Sequence, residues 1–331
     1  MGEQSATFDF KVSVKSTASI VGAKEGKGPL GKYFDIVMED ILAGKESWEK
    51  AESEFARLGL DLAVKKAELK NEDIDYVLAG DLLSQSAGAT FGALDMKRPF
   101  FGVFGACSTI GEALSLGAVL VDGGFAKNVL AGASSHFCAA EKQFRFPLEL
   151  GTQRPPTSTW TVTGEGAAVL SREGGPPYIT AITTGRLVDM GVKDQNNMGA
   201  VMAPAACDVI SAHFRDFGRT PDYYDAIITG DLGYVGQELL IRLLKNEGYD
   251  VSKKHRDCGI EIFDKNTQDT HSGGSGCACA AAAFCGYFYN ELKCRKLNKI
   301  LFVPTGAILN PTSFMQGENI PSVAHAVVIE N

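Results

Sequence analysis

Tryptophan is scarce in this chain, with two in 331 residues, and histidine is nearly so, with five. So few imidazoles exclude a histidine-rich metal protein and confine histidine acid–base chemistry to a handful of positions. A surplus of positive charge is also missing. Lys and Arg number 32 against 40 Asp and Glu, a formal net of −8. With no long basic run, nucleic acid is excluded as the main partner. Gly (37) and Pro (12) fall far short of linker or collagen composition. An apolar fraction of 45% excludes disorder and suffices for one large domain, or two of about 150 residues each. The segment Met1-Gly2-Glu3-Gln4-Ser5-Ala6 lacks a basic stretch followed by an apolar one, and Ala6 stands where myristoylation needs Ser or Thr. The expectation is a protein of the cytoplasmic side whose eight cysteines are reduced thiols. The one long uncharged run, Ser272 to Asn290, is Gly- and Ala-heavy at its start and ends in Tyr and Asn. It predicts a packed core helix rather than a transmembrane span.

What the chain does have is self-similarity. Asp75 to Leu82 (DYVLAGDL) and Asp225 to Leu232 (DAIITGDL) are apolar runs closing in a Gly-Asp turn, offset by 150 positions. Lys127 to Ser135 pairs in the same way with Lys299 to Ala307, and Gly164 to Arg172 with Ser322 to Glu330. Trp48, Ala51, Phe55, Leu58, Leu62 and Leu69 recur at helical spacing before the first of these strands. Pro204 is placed to start a helix before the second, with Val209, Ile210, His213, Phe214 and Phe217 on its apolar stripe. Small, apolar helices follow, over Ile110 to Val121 and Cys277 to Cys294. A helix apolar all round must be buried on all sides. Two of them facing each other between two sheets satisfy both halves. The prediction is a layered α/β pseudo-dimer in one chain, residues 1–172 and 173–331, joined at the Gly- and Pro-rich run Glu173 to Pro177. The four cysteines from Cys277 to Cys294 match no common zinc spacing and read as small packing residues.

Phe100 to Phe104 reads as a strand, Gly105 to Thr109 as a turn and Ile110 as the start of a helix. Cys107 then sits at a helix N-terminus, where unpaired N–H groups and the helix dipole favour a thiolate. Such a cysteine suits an acyl-accepting nucleophile, with N–H donors close by for an oxyanion. The repeat, the run GVFGACSTIGEALSLGA and the strand Thr163 to Leu170 (TGEGAAVL) resemble the thiolase superfamily of thiolases and ketoacyl synthases. The resemblance covers nearly the whole chain. It implies a five-layer αβαβα subunit with a mixed sheet in each half, usually homodimeric, with Cys107 at the nucleophile position.

The superfamily's catalytic set is incomplete. Where a ketoacyl synthase carries His and a thiolase Asn-Glu, the loop after the second-half strand reads Thr229-Gly230-Asp231-Leu232-Gly233. The loop before the second central helix offers only His271, and the C-terminal Gly-Cys loop of thiolases is absent from 319–325. An acyltransferase with Cys107 as nucleophile and His271 as base stays open as the alternative. Several longer runs resemble a non-enzymatic, sporulation branch of the superfamily. They include AKEGKGPLG (23–31), LAGDLLSQ (78–85), PPTSTWTVTGEGAAV (155–169), VDMGVKDQNNMGAVMAPAA (188–206) and SGCACAAA (275–282). That resemblance implies binding of dipicolinic acid, pyridine-2,6-dicarboxylate, with Ca²⁺ carried alongside. It also implies uptake into the developing spore, release in germination, and work beside other stage V sporulation proteins at the inner membrane.

A planar dianion needs a flat slot, N–H donors and cations. The candidates are Cys107, Ser108 and Thr109 at the helix terminus, Arg145 and Arg154 as carboxylate clasps, and His136 and His271 as loop residues. Asp81 and Asp231 close equivalent turns in the two halves and are candidates to hold a Ca²⁺ that travels with the ligand, although calcium usually takes more oxygens than these two carboxylates supply. The polar, Pro-rich stretch from Lys142 to Gly164 is expected to cover the pocket or a dimer interface.

Overall fold

A computed structural model describes residues 2–145 and 154–331. Positions 146–153 of the expected pocket cover lie outside the described residues. The first half contributes β1 (Ser5–Gly22), β2 (Tyr76–Gly80), β3 (Phe100–Gly102), β4 (Asn128–Ser135) and β5 (Gly164–Ser171). The second contributes β6 (Tyr178–Thr183), β7 (Ala226–Thr229), β8 (His255–Asp257), β9 (Lys299–Val303) and β10 (Ala326–Glu330). Their spatial orders are β3-β2-β4-β5-β1 and β8-β7-β9-β10-β6, the same topology twice. The pairing directions also repeat. The fourth strand of each set pairs parallel with the second and antiparallel with the fifth. An antiparallel contact between β1 and β6 joins the sets edge to edge in one eleven-stranded sheet, which includes a short parallel addition, Ile36–Met38. The run Glu173 to Pro177 links β5 to β6.

Helices cover both faces. α1 (Trp48–Lys66) lies on β1, β4 and β5, with α2 (Ala87–Ala93) beside it. α3 (Thr109–Asp122) follows β3, and α4 (Phe137–Phe144) follows β4. α5 (Met198–Phe217) and α6 (Gly233–Asn246) pack together on the far side of the second half. α7 (Cys277–Ala283) continues through a π-turn, Phe284–Phe288, into Tyr289–Lys293. Every residue of α7 is buried. α3 and α7 form the middle layer. Their side chains share one core with Ile228, Ile300, Phe302, Val327 and Ile329 from the second half. Two outer cores, one under α1 and one under α5, complete five layers.

Two helices differ from expectation in detail. On α1 the buried face is Ala51, Glu52, Phe55, Ala56, Gly59, Leu60, Ala63 and Val64, with Leu58 and Leu62 half-buried and Leu69 beyond the helix. Small residues let the helix lie close on the sheet, so residue size shifts the stripe off the largest side chains. α5 begins before Pro204, because the Asn197 side chain accepts from the Ala200 N–H and caps the helix there. Glycine is needed where layers meet. A Cβ at Gly166 of β5 would lie 2.2 Å from the Ala281 carbonyl carbon of α7. All eight cysteines are unpaired. Among the described residues no helix is long and apolar enough to cross a membrane.

Candidate functional site

The turn before α3 is built by its own hydroxyls. Ser108 Oγ donates to the Gly105 carbonyl at 2.7 Å, and Thr109 Oγ1 to the Ala106 carbonyl at 2.6 Å. Both residues are fully buried and neither lines the cavity at Cys107; they shape the turn. Ala106 adopts a left-handed φ of 49°, which turns the chain sharply just before Cys107. The second half closes on this turn. A Cβ at Gly306 would lie 2.0 Å from the Gly105 carbonyl oxygen. Ser275, one residue before the start of α7's N-cap glycine, is held by the parallel pairing of Gly274–Ser275 with Trp160–Thr161.

These approaches assemble a buried polar chain. Cys107 Sγ lies 3.7 Å from Ser275 Oγ. Ser275 Oγ donates to Asp231 Oδ2 at 3.2 Å, Gly276 N–H reaches the same oxygen at 3.3 Å, and Thr305 Oγ1 donates to Asp231 Oδ1 at 2.8 Å. Asp257 sets the turn that carries Asp231. Its carboxylate accepts from the N–H groups of Leu232 and Gly233 and from the Thr229 hydroxyl, at 2.9, 3.0 and 2.6 Å. Burial pushes the Asp231 carboxyl up to about 7, opposed by the Thr305 donor and helped by the charge of Asp257. Burial also drives the Cys107 thiol well above its ordinary range, with Asp231 adding to the effect. The expected thiolate is therefore corrected: desolvation and an acidic neighbour outweigh the helix terminus, and Cys107 is a neutral thiol.

A stability prediction follows from Asp231. Its folded-state pKa of about 7 lies above the unfolded carboxyl value near 3.9, so the stabilisation gained by keeping its proton is lost as pH rises through 7. Asp231→Asn cannot ionise. Between pH 4 and pH 8 its unfolding free energy, relative to the parent, should improve by about 4 kcal/mol. Denaturant titrations at both pH values measure this; an unchanged gap would place Asp231 in a solvated setting.

Cys107, Ala106 and Ser275 line a cavity with about 700 Å³ of empty space, including its open mouth. α4 supplies Ala140, Glu141 and Phe144, and α5 supplies Met198 and Met202. Arg145, just past α4, is the one cation among its described lining residues, with Nε 3.1 Å from Glu141 Oε2. Asp231 is not in the wall; it lies behind Ser275. No histidine lines the cavity among the described residues. His136 is buried elsewhere, with Nε2 2.8 Å from the Ile41 carbonyl and its ring edge-on to Phe55. Arg154 and His271 meet each other's partner instead of Cys107. Arg154 Nη2 and His271 Nε2 lie 2.5 and 3.0 Å from the two oxygens of Asp269. His271 Nδ1 also donates to the Pro155 carbonyl at 2.8 Å. Asp81 accepts from the Leu83 and Ala89 N–H groups, each at 2.7 Å. Among the described residues no group of three or more His, Cys, Asp or Glu is disposed to hold a metal ion. Sequence reasoning missed Ser275, Thr305, Asp257 and Glu141. Of these, only Ser275 carried a signal, its place just before the small-residue helix.

Two half-chains of identical strand order, with a cysteine opening a central buried helix, make a thiolase-like fold. Solved structures of that fold cover nearly all of the chain. They include an OleA variant from Xanthomonas campestris (TM-score 0.62, 14% identity, 98% of this chain and 100% of that one). Others are 3-oxoacyl-[acyl-carrier-protein] synthase III from Aquifex aeolicus (0.56, 17%, 97% and 99%) and human mitochondrial 3-ketoacyl-CoA thiolase (0.58, 13%, 98% and 99%). Within the fold, the chain belongs to the stage V sporulation protein AD family, whose sequence model matches residues 2–330. The stage V sporulation protein AD of Bacillus subtilis (strain 168) is 45% identical over 329 residues, 99% of this chain and 97% of that one. The chain is thus a sporulation protein with a thiolase-like fold.

Proposed function

We propose that this protein binds dipicolinic acid in the Cys107 cavity without transforming it. The binding serves uptake into the developing spore and release in germination. The observation that carries this reading is the character of the cavity: mostly apolar walls, one arginine, and a cysteine kept as a thiol with no histidine beside it. A few convergent polar groups in an apolar cleft suit a small planar ligand. In this reading Arg145 takes a ligand carboxylate through its guanidinium, and the Cys107 thiol and Ser275 hydroxyl are further polar groups of the same wall. Catalysis by Cys107 and His271 finds no support, since His271 is spent on Pro155 and Asp269.

Calorimetric titration with dipicolinate, with and without Ca²⁺, tests the reading. Saturable heat is expected, and the two runs together tell whether Ca²⁺ travels with the ligand. No heat in either run would end it. Iodoacetamide should label Cys107 far more slowly than the exposed Cys294 at neutral pH. Rapid labelling together with acyl-thioester turnover would restore the enzyme reading.

The same proposal has the protein act as a homodimer beside other stage V sporulation proteins, peripheral to the forespore membrane on its cytoplasmic side. Its support is the free edge of β3 and the exposure of Phe91, Leu94, Phe101, Phe104 and Phe125.

A further inference from the structure

The run Thr157 to Thr163 is dense in hydroxyls, and most of them are satisfied within the protein. Thr157 Oγ1 donates to the Asn196 carbonyl at 3.1 Å, and Ser158 Oγ to the Pro155 carbonyl at 2.8 Å. Thr163 Oγ1 accepts the Phe137 N–H at 3.0 Å. Thr159 and Thr161 are the exceptions. Their hydroxyls have no hydrogen-bond partner among the described residues, and both residues line the Cys107 cavity.

Backbone pairing sets this arrangement. The N–H groups of Trp160 and Val162 donate to the Gly273 and Ser275 carbonyls, each at 2.8 Å, so the segment is extended. Alternation then puts Thr159 and Thr161 on one face and Trp160 on the other. Trp160 stacks on Phe137, with ring centres 3.8 Å apart. Ser275 pairs with Thr161 across the ribbon and lines the same cavity, but its hydroxyl hydrogen goes to Asp231. The Thr157–Asn196 bond holds a further donor close by. Gln195 also lines the cavity, and its amide has no partner among the described residues.

Thr159 is 8% exposed. A buried hydroxyl is ordinarily hydrogen-bonded, so its partner has to come from whatever fills the cavity. Water serves in a solvated cavity, and a ligand that displaces the water must replace its bonds. Arg145, beside Glu141, is the one cation among the described lining residues and answers for one carboxylate. A second carboxylate then needs neutral donors. Positions two apart in an extended segment lie about 6–7 Å apart. A carboxylate set between two such hydroxyls can offer each of them an oxygen at about 2.7 Å.

We propose that Thr159 and Thr161, with Gln195 beside them, form a neutral carboxylate subsite, separate from Arg145, that makes the cavity selective for dicarboxylates over monocarboxylates. The inference rests on the dipicolinate reading and adds to it the residues that take the second carboxylate. A monocarboxylate in the same slot strips water from both hydroxyls and leaves them without partners. That loss is the source of the selectivity.

Calorimetry with dipicolinate, and with picolinate (pyridine-2-carboxylate) added as its competitor, tests the subsite in the parent, in Thr159→Val and in Thr161→Val. Valine keeps the branched shape and the strand preference and removes the hydroxyl. Each valine variant should weaken dipicolinate binding about tenfold and picolinate binding by less than about twofold, so the preference for the dicarboxylate shrinks. Thr159→Ser and Thr161→Ser retain a hydroxyl and should retain most of the preference. Either position suffices if the variant at the other fails to fold. Unchanged dipicolinate binding in a folded valine variant, or an equal loss for both ligands, would overturn the subsite and leave the dipicolinate reading standing. No heat with dipicolinate in the parent would remove that reading and the subsite with it.

Discussion

Gly166→Ala should leave little folded protein. Gly166 lies in β5, fully buried, with the backbone of α7 pressed against it. A methyl group there would sit 2.2 Å from the Ala281 carbonyl carbon, 2.3 Å from its oxygen and 2.7 Å from its Cβ. The two nearest are backbone atoms, and the third a Cβ fixed to that backbone, of a helix buried on every side, so nothing flexible can step away. Relief would require moving the middle layer off the first-half sheet, and α3 shares that layer's core. Ordinary overpacking costs about 1–3 kcal/mol. A backbone clash between layers should reach roughly 4 kcal/mol or more, a large part of a stability of about 5–15 kcal/mol. Soluble yield and the denaturant midpoint report it. Gly175→Ala, where an added Cβ meets nothing within 4 Å, is the control and should change stability by less than about 0.5 kcal/mol. A stable, soluble Gly166→Ala protein would mean that the central helix packs more loosely than its backbone contact implies.

Arg145→Ala should weaken dipicolinate binding at least thirtyfold, whereas Arg154→Ala should change it by less than about threefold. The two arginines look alike in sequence, in one polar stretch nine positions apart. Their surroundings differ. Arg145 faces the Cys107 cavity beside Glu141, while Arg154 is held by Asp269 and lies with its guanidinium carbon 4.9 Å from the Trp160 ring centre. Truncating one partner of a buried, hydrogen-bonded charge pair costs about 2–5 kcal/mol, since the other charge is left without a partner. Arg145→Lys should recover only part of the loss, because an ammonium cannot reproduce a planar, two-point contact. Calorimetry on the folded variants measures all three. Equal losses for Arg145→Ala and Arg154→Ala would move the ligand away from the Cys107 cavity.

Much of the architecture is legible before any coordinates. The paired runs at Asp75 and Asp225 announce two halves because buried parallel strands must be apolar throughout, and a Gly-Asp turn ends each in the same way. The Ala- and Cys-rich run from Cys277 announces a middle layer because a helix without a polar face has nowhere else to go. Cys107 is found at its strand-to-helix turn from local pattern alone. The buried stripe of α1 was less legible, since small residues define the contact there and large ones do not.

The composition of the site lies beyond local pattern. Ser275 is 168 positions from Cys107, and Thr305 is 74 from Asp231; only the stacking of the two halves brings them together. The same stacking decides protonation. A helix terminus in isolation favours a thiolate, but packing removes water and adds Asp231, and desolvation then dominates. Tertiary structure also sends Arg154 and His271 to Asp269. The sequence by itself therefore determined the strands, the helices and the two-fold plan, because periodicity and residue size act over a few neighbouring positions. Which groups meet, and which of them carry charge, was left to the tertiary structure, because burial and long-range contact exist only once the layers close.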